Sequence, residues 1–179
     1  PYHAVGVILH AGCAVLLWLI LARLRVPGAG WGAALWALHP VQVESVAWIS
    51  ELKNTQAGFF FLLCVWFFLR GLRPAEPPAA PRDYWRALAC AVLAILSKSS
   101  TVMLPVVLGL VWWWVGGWRW RCALRLLPFL AISLAASGWT IWEQKVSSLA
   151  SGPDWEQSLP ERFVLAGRVV WFYLGKLAW

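Results

Sequence analysis

Residues 5–22 read VGVILHAGCAVLLWLILA, eighteen positions without one formal charge. A membrane-spanning helix needs about 17–25 mainly apolar residues, so this stretch alone is long enough to cross a bilayer. Outward from it, similar runs recur at 29–38, 56–69, 85–96, 101–116 and 124–142. A seventh run, 163–179, is interrupted by Arg168 and Lys176. It reads either as a further span or as a helix lying along the interface. The shorter runs are expected to tilt, to be sheltered by neighbours, or to extend into their flanks.

Composition agrees. Of 179 residues, 61% are hydrophobic and 13% charged, against about 25% charged in an ordinary soluble domain. Mean hydropathy is +0.66. Sixteen tryptophans suit the membrane interface, where an apolar ring and a polar N–H are both satisfied. The expected fold is an all-α polytopic transmembrane helical bundle of about six spans plus the ambiguous 163–179 helix, with 1–179 forming part of one transmembrane domain. Cys13, Cys64, Cys90 and Cys122 lie in or beside apolar runs without CxxC spacing, so free, lipid-buried thiols are expected rather than disulfides or a zinc site.

The net charge of +7 is unevenly distributed. Arg23, Arg25, Arg70, Arg73, Arg82, Arg86, Arg119, Arg121 and Arg125 fall on one side of the predicted spans, with only Glu76 and Asp83 to oppose them. On the other side six basic and six acidic residues cancel, if Arg168 and Lys176 are counted there. Short loops rich in Lys and Arg stay cytoplasmic, so the arginines are topology signals and a nucleic-acid partner is not expected. Residues 39–54, 97–100 and 143–161 are then external.

The external side holds two polar islands. The first is HPVQVESVAWISELKN at 39–54. Pro40 ends or bends the preceding helix, and 41–52 is expected to resume as one short interfacial helix with Glu44 and Glu51, seven apart, on one face. One reading makes this a solvated loop. The other makes it a functional surface, since ionisable groups near membrane depth are costly and usually functional. The second island surrounds Lys98 in ILSKSSTVMLP. There a lysine either snorkels to the interface or contacts a phosphate as a compact point charge, with Ser97 and Ser99 as further donors or helix caps. His3 and His10, seven apart on the first helix, are either hydrogen-bonded histidines or metal ligands lacking a third partner, so no metal site is assigned.

HPVQVESVAWISELKN, ILSKSSTVMLP and the PYHAVGVILHA ahead of them resemble the bacterial relatives of the transmembrane and tetratricopeptide-repeat-containing O-mannosyltransferases, which are C-type glycosyltransferases. FYLGKLAW is similar to a segment that follows the family's long external loop. The resemblance implies an inverting membrane glycosyltransferase of the bacterial inner (cytoplasmic) membrane. It would move a sugar, mannose in the family, from a polyprenyl-phosphate donor to a protein or glycan acceptor on the external face. It implies that His39, Glu44, Glu51 and Lys53 line the external cavity and that Lys98 lies near the donor phosphate. His3, His10, Asn54, Ser97 and Ser99 are secondary candidates. No cofactor is implied beyond the lipid-linked sugar, and a divalent metal is left open. Many relatives carry arginine beside the lysine where this chain has Leu52, which leaves Lys53 as the positive charge there.

The family's acidic base belongs to an external loop that would precede Pro1, and its repeats would follow Trp179. The chain is therefore expected to be a piece of a longer protein, inactive by itself. The alternative reading is a polytopic transporter or flippase for a lipid-linked or anionic substrate, with the same Glu and Lys residues along its route.

Overall fold

The computed structural model describes residues 2–72, 81–116, 120–147 and 158–178. All regular elements among them are helical: α1 Tyr2–Arg23, α2 Ala29–Leu38, α3 Val43–Ala47, α4 Leu52–Arg70, α5 Pro81–Ser97, α6 Leu104–Gly116, α7 Trp120–Ser147 and α8 Leu159–Ala178. Single 3₁₀ turns occupy Pro40–Gln42, Ile49–Glu51 and Ser99–Met103. Arg73, Glu76, Arg119, Asp154 and Glu156 lie outside the described residues, as do the side chains of Arg121, Cys122 and Lys145.

Four stretches are long and apolar enough to cross a membrane: His3–Arg23, Ile49–Arg70, Ser99–Gly116 and Leu124–Gln144. This is a membrane protein of all-α class. Two runs read from the sequence as spans fall short of that length. The α2 helix has 10 residues, about 15 Å at 1.5 Å per residue, and α5 has 17. The α5 helix also starts earlier than its apolar run suggests, inside GLRPAEPPAAPRDYW at 71–85, a stretch whose prolines read from sequence as a loop. Pro81 sits at its first position, where the missing N–H costs nothing and φ is already helical. The 20-residue α8 is long enough, but Glu161, Arg162, Arg168 and Lys176 interrupt its apolar surface.

The chain divides into two compact units, 1–138 and 139–179. In the first, α4 is central. Cys64, Val65, Phe68 and Leu69 on α4 pack with Ile20 of α1, Ala87, Cys90 and Ala91 of α5, Leu104 and Leu108 of α6, and Phe129 of α7. The buried apolar residues of α5 are Ala87, Cys90, Ala91 and Ala94, at helical spacing and so on one face. Small side chains there let two backbones approach closely, which matters because lipid supplies no hydrophobic drive for helix association. Aromatic edges complete the core: the Phe68 and Phe129 rings meet edge-on at 5.9 Å, and Phe68 meets Trp112 at 5.7 Å. Cys13, Cys64 and Cys90 are buried free thiols.

Glycine sets the approach of α1 to its neighbours. A Cβ at Gly12 would come within 2.8 Å of the Phe59 ring, and one at Gly6 within 3.1 Å of the Val46 carbonyl oxygen. The outward surface is apolar, with Ile8, Trp31, Leu35, Leu38 and Leu96 all exposed. In water so broad an apolar surface would drive aggregation; in a bilayer it is the lipid face.

In the second unit, α8 begins with a one-way cap, in which the Glu161 carboxylate reaches back to Ser158. The backbone N–H and the hydroxyl of Ser158 both donate to Glu161 Oε2, each at 2.8 Å. This is the serine-to-glutamate capping spacing, and it holds the Glu161 carboxyl below its ordinary value of 4.5.

Candidate functional site

The polar residues of the first unit gather at two opposite ends of α4. That helix has 19 residues, so its ends stand about 28 Å apart at 1.5 Å per residue, close to the ~30 Å hydrocarbon thickness of a bilayer. One end carries arginines: Arg70 pairs with Asp83 at 3.2 Å, Arg86 pairs with Asp83 at 3.1 Å, and the Tyr84 hydroxyl donates to the Arg125 carbonyl. The other end carries Glu51, Asn54 and Lys98.

The segment joining α2 to α4 is broken twice. His39 is extended (φ −66°, ψ 132°) and its Nδ1 accepts from the Val41 N–H at 3.2 Å, starting the Pro40–Gln42 turn. After α3, Trp48 is again extended (φ −90°, ψ 124°). The expectation of one helix over 41–52 is therefore not met, and its common face for Glu44 and Glu51 goes with it. Thr55 contacts the broken segment. Its hydroxyl donates to the Ser45 carbonyl at 2.9 Å, the oxygen that the Ile49 N–H would use in a continuous helix. Val41, Val43, Val46 and Ile49 are β-branched and give the helix little intrinsic support. The Thr55 carbonyl in turn receives the Cys13 thiol at 3.7 Å, so the broken segment is tied to both α1 and α4.

Across from it, α5 ends at Ser97, whose hydroxyl bonds back to the Leu93 carbonyl at 2.7 Å. Lys98 then extends (φ −157°, ψ 124°), and the Thr101 hydroxyl donates to its carbonyl at 2.8 Å. This extended step points the Lys98 ammonium at α4, where it donates to Asn54 Oδ1 at 2.5 Å. Asn54 Nδ2 donates to Glu51 Oε2. The carboxylate can only accept and the ammonium can only donate, so the amide between them has one orientation that satisfies both. A lysine and a glutamate thus face each other through a neutral, half-buried spacer, Asn54, which lies 44 residues before the lysine in sequence.

The other sequence candidates fall into three groups. Glu44 on α3 and Lys53 on the first turn of α4 are exposed, near the network in sequence but outside its hydrogen bonds. Ser99 is exposed in the 3₁₀ turn. His3, His10 and His39 converge on a cavity of about 470 Å³ that Gln42 and Val43 also line. Within that group His10 is occupied: its Nε2 bonds the Ala37 carbonyl at 2.9 Å, and its ring stacks on Trp36 at 5.1 Å. It serves one of the carbonyls that a helix C-terminus leaves unpaired. Among the described residues, no group of three or more His, Cys, Asp or Glu side chains could hold a metal ion.

Sequence reasoning ranked Asn54 as secondary and passed over Thr55. The structure makes the first the bridge of the network and the second the residue whose hydroxyl ties the broken segment to α4. Their sequence signal was a pair of amide and hydroxyl side chains at the start of an otherwise apolar span. No family model, no curated protein and no solved structure matches the chain.

Proposed function

We propose that this chain is the donor-binding part of a membrane glycosyltransferase that takes a sugar from a polyprenyl-phosphate carrier and passes it, with inversion, to a protein or glycan hydroxyl on the external face. The fold class assigned is a C-type glycosyltransferase-like bundle in which α2 and α5 serve as further, short spans. The observation that carries the reading is the convergence of Lys98 on Asn54 and Glu51 at one end of the helices. Behind it stands the resemblance of 39–54 and 95–105 to that family.

The chemistry runs as follows. The bond between the anomeric carbon and the carrier phosphate oxygen breaks, and polyprenyl phosphate leaves with its electron pair. The acceptor oxygen bonds the opposite face of the same carbon, and its proton passes to a base. The leaving phosphate gains negative charge, which a fixed cation in a low-dielectric setting stabilises more than an exposed one. Lys98 is that cation. It has three N–H donors and gives one to Asn54, which holds the ammonium in place while keeping it from direct contact with Glu51. Glu44, Glu51, Lys53 and His39 are assigned to the sugar and acceptor hydroxyls, and the histidine-lined cavity beside them to the acceptor side.

Donor binding tests the reading directly. The chain in detergent should quench its tryptophan fluorescence on adding polyprenyl-phosphate mannose, and Lys98→Met should weaken that binding about tenfold or more, roughly 1.4 kcal/mol. Lys98→Met binding as tightly as the wild type, in a chain that melts normally, would sink the assignment. A labelled donor that crosses the bilayer intact, with no new glycosidic bond, would favour the transporter reading; the break at 39–52 is the kind of interrupted helix transporters use.

A further inference from the structure

The helix of the second unit, α8, presents an apolar surface that its own unit does not cover. Every described residue from Pro160 to Lys176 is exposed, Phe163 and Trp171 to 78% and 75%. We propose that α8 lies flat on the membrane, with its apolar face docked into the phospholipid interface, and does not cross the bilayer.

The spacing of its charges gives the first support. The 20 residues of α8 extend about 30 Å at 1.5 Å per residue, which matches the ~30 Å hydrocarbon core of a bilayer. A crossing helix would therefore set its midpoint, between Arg168 and Val169, at the bilayer centre. Sliding it along its axis gives no relief. Glu161 and Arg162 stand seven and six residues before Arg168, and Lys176 stands eight after it, so moving one charge out draws another in. Ionisable groups at that depth are costly. A helix lying flat holds all four at one depth, where water and lipid phosphates reach them. The four stretches apolar enough to cross a membrane do not include α8.

The arrangement around the axis gives the second. At 3.6 residues per turn, Phe163, Val170 and Leu174 share one stripe, and Gly167 lies within it. Glu161, Arg168 and Lys176 fall on the opposite side. Phe172 falls there too, but the Lys176 ammonium lies over its ring at 5.9 Å. Leu165 and Val169, also on that side, are the least exposed of the large apolar residues of α8. Trp171, with Val164 seven residues before it, runs along one boundary between the faces, and Tyr173 marks the other. Rings with an apolar body and a polar tip suit that boundary. Three of the four charges on the helix are basic, and a basic polar face opposite aromatic and aliphatic residues is the pattern of a helix held at a lipid surface.

The test uses the full chain in phospholipid nanodiscs, which leave both membrane faces open to reagents. With Cys122 replaced by serine, single cysteines along α8 carry a nitroxide, and its access to oxygen and to a water-soluble nickel complex reports depth. Labels at Phe163→Cys, Val170→Cys and Leu174→Cys should sit at one similar depth below the phosphates, and labels at Arg168→Cys and Lys176→Cys should sit in water. Depth that peaks near Arg168 and declines toward both ends would show a span and overturn the proposal. Labels at 163, 170 and 174 shielded from both probes would put a protein surface there, and full access of the nickel complex to them would leave the face in water; either result overturns it as well. A second readout needs no nitroxide. Arg168→Cys should react with a membrane-impermeant maleimide within about twofold of the rate of Lys176→Cys, since both lie on the wet side of a flat helix. Reaction slowed about tenfold or more at Arg168→Cys would place that position inside the bilayer and end the proposal.

Discussion

Asn54 shows how much can depend on one uncharged side chain. Replacing it with leucine keeps the branched skeleton but leaves Glu51 and Lys98 half-buried without the group that separates and satisfies them. Stranding such partners costs about 1–3 kcal/mol. Asn54→Leu should therefore lower the melting temperature and weaken donor binding together, whereas Lys53→Gln, on an exposed neighbour, should leave the melt unchanged. An Asn54→Leu chain that melts like wild type would mean the bridge does not form in the membrane. Ser133 is the opposite case. It is 4% exposed, and its Oγ has no hydrogen-bond partner among the described residues. Burying an unpaired hydroxyl costs about 1–3 kcal/mol by protein mutational data, so Ser133→Ala should leave the melting temperature unchanged or raise it. Neither role was legible in the sequence. The importance of Asn54 depends on a lysine 44 positions away, and the isolation of Ser133 on what does not reach it. Lys98 itself was legible, because a lysine in a four-residue polar break between apolar runs needs a reason.

At the scale of elements, apolar runs announced α1, α4, α6 and α7, while helix ends were harder to read. The start of α5 at Pro81 was hidden because prolines nearby suggested a loop throughout; only its position at the first turn makes it compatible with a helix. The division of 39–52 into two 3₁₀ turns and one short helix was hidden for another reason. The hydroxyl that takes the Ser45 carbonyl comes from Thr55, beyond the segment being read. The α8 start has a local signal, Ser158 three residues before Glu161, and a pH consequence. Hydrogen bonds from the Ser158 N–H and hydroxyl depress the carboxyl below 4.5. A depressed folded value means the cap is fully formed above the unfolded value and is lost as pH falls through the folded one. Protection of the Ser158 amide against hydrogen exchange, corrected for intrinsic rates, should fall as the pH is lowered through and below the ordinary carboxylate range. Glu161→Gln, which cannot titrate, should give protection independent of pH over that window. A wild-type profile as flat as that of the variant would show that the cap does not form.

At the scale of the first unit, the decisive feature is that its described charges sort to opposite ends of the same helices. The sequence showed this through counting alone: arginines follow every second apolar run. The structure joins the ends physically, through Arg70 with Asp83 at one and Lys98 with Asn54 at the other. An orientation follows from the bias of short basic loops toward the cytoplasm, and it can be measured without any substrate. Three of the four native thiols, Cys13, Cys64 and Cys90, are buried, so with Cys122 replaced by serine little background labelling by a membrane-impermeant maleimide is expected. In cells with a permeable outer envelope, Glu44→Cys and Lys53→Cys, both at exposed positions, should label at once. Arg25→Cys and Arg82→Cys, exposed at the other end, should label only after the inner membrane is opened. The reverse pattern would place Lys98 on the cytoplasmic face and end the proposal of an external donor site. Labelling of all four positions in intact cells would be worse for the fold itself, since both ends of a ~28 Å helix cannot meet the same water unless α4 fails to span the bilayer.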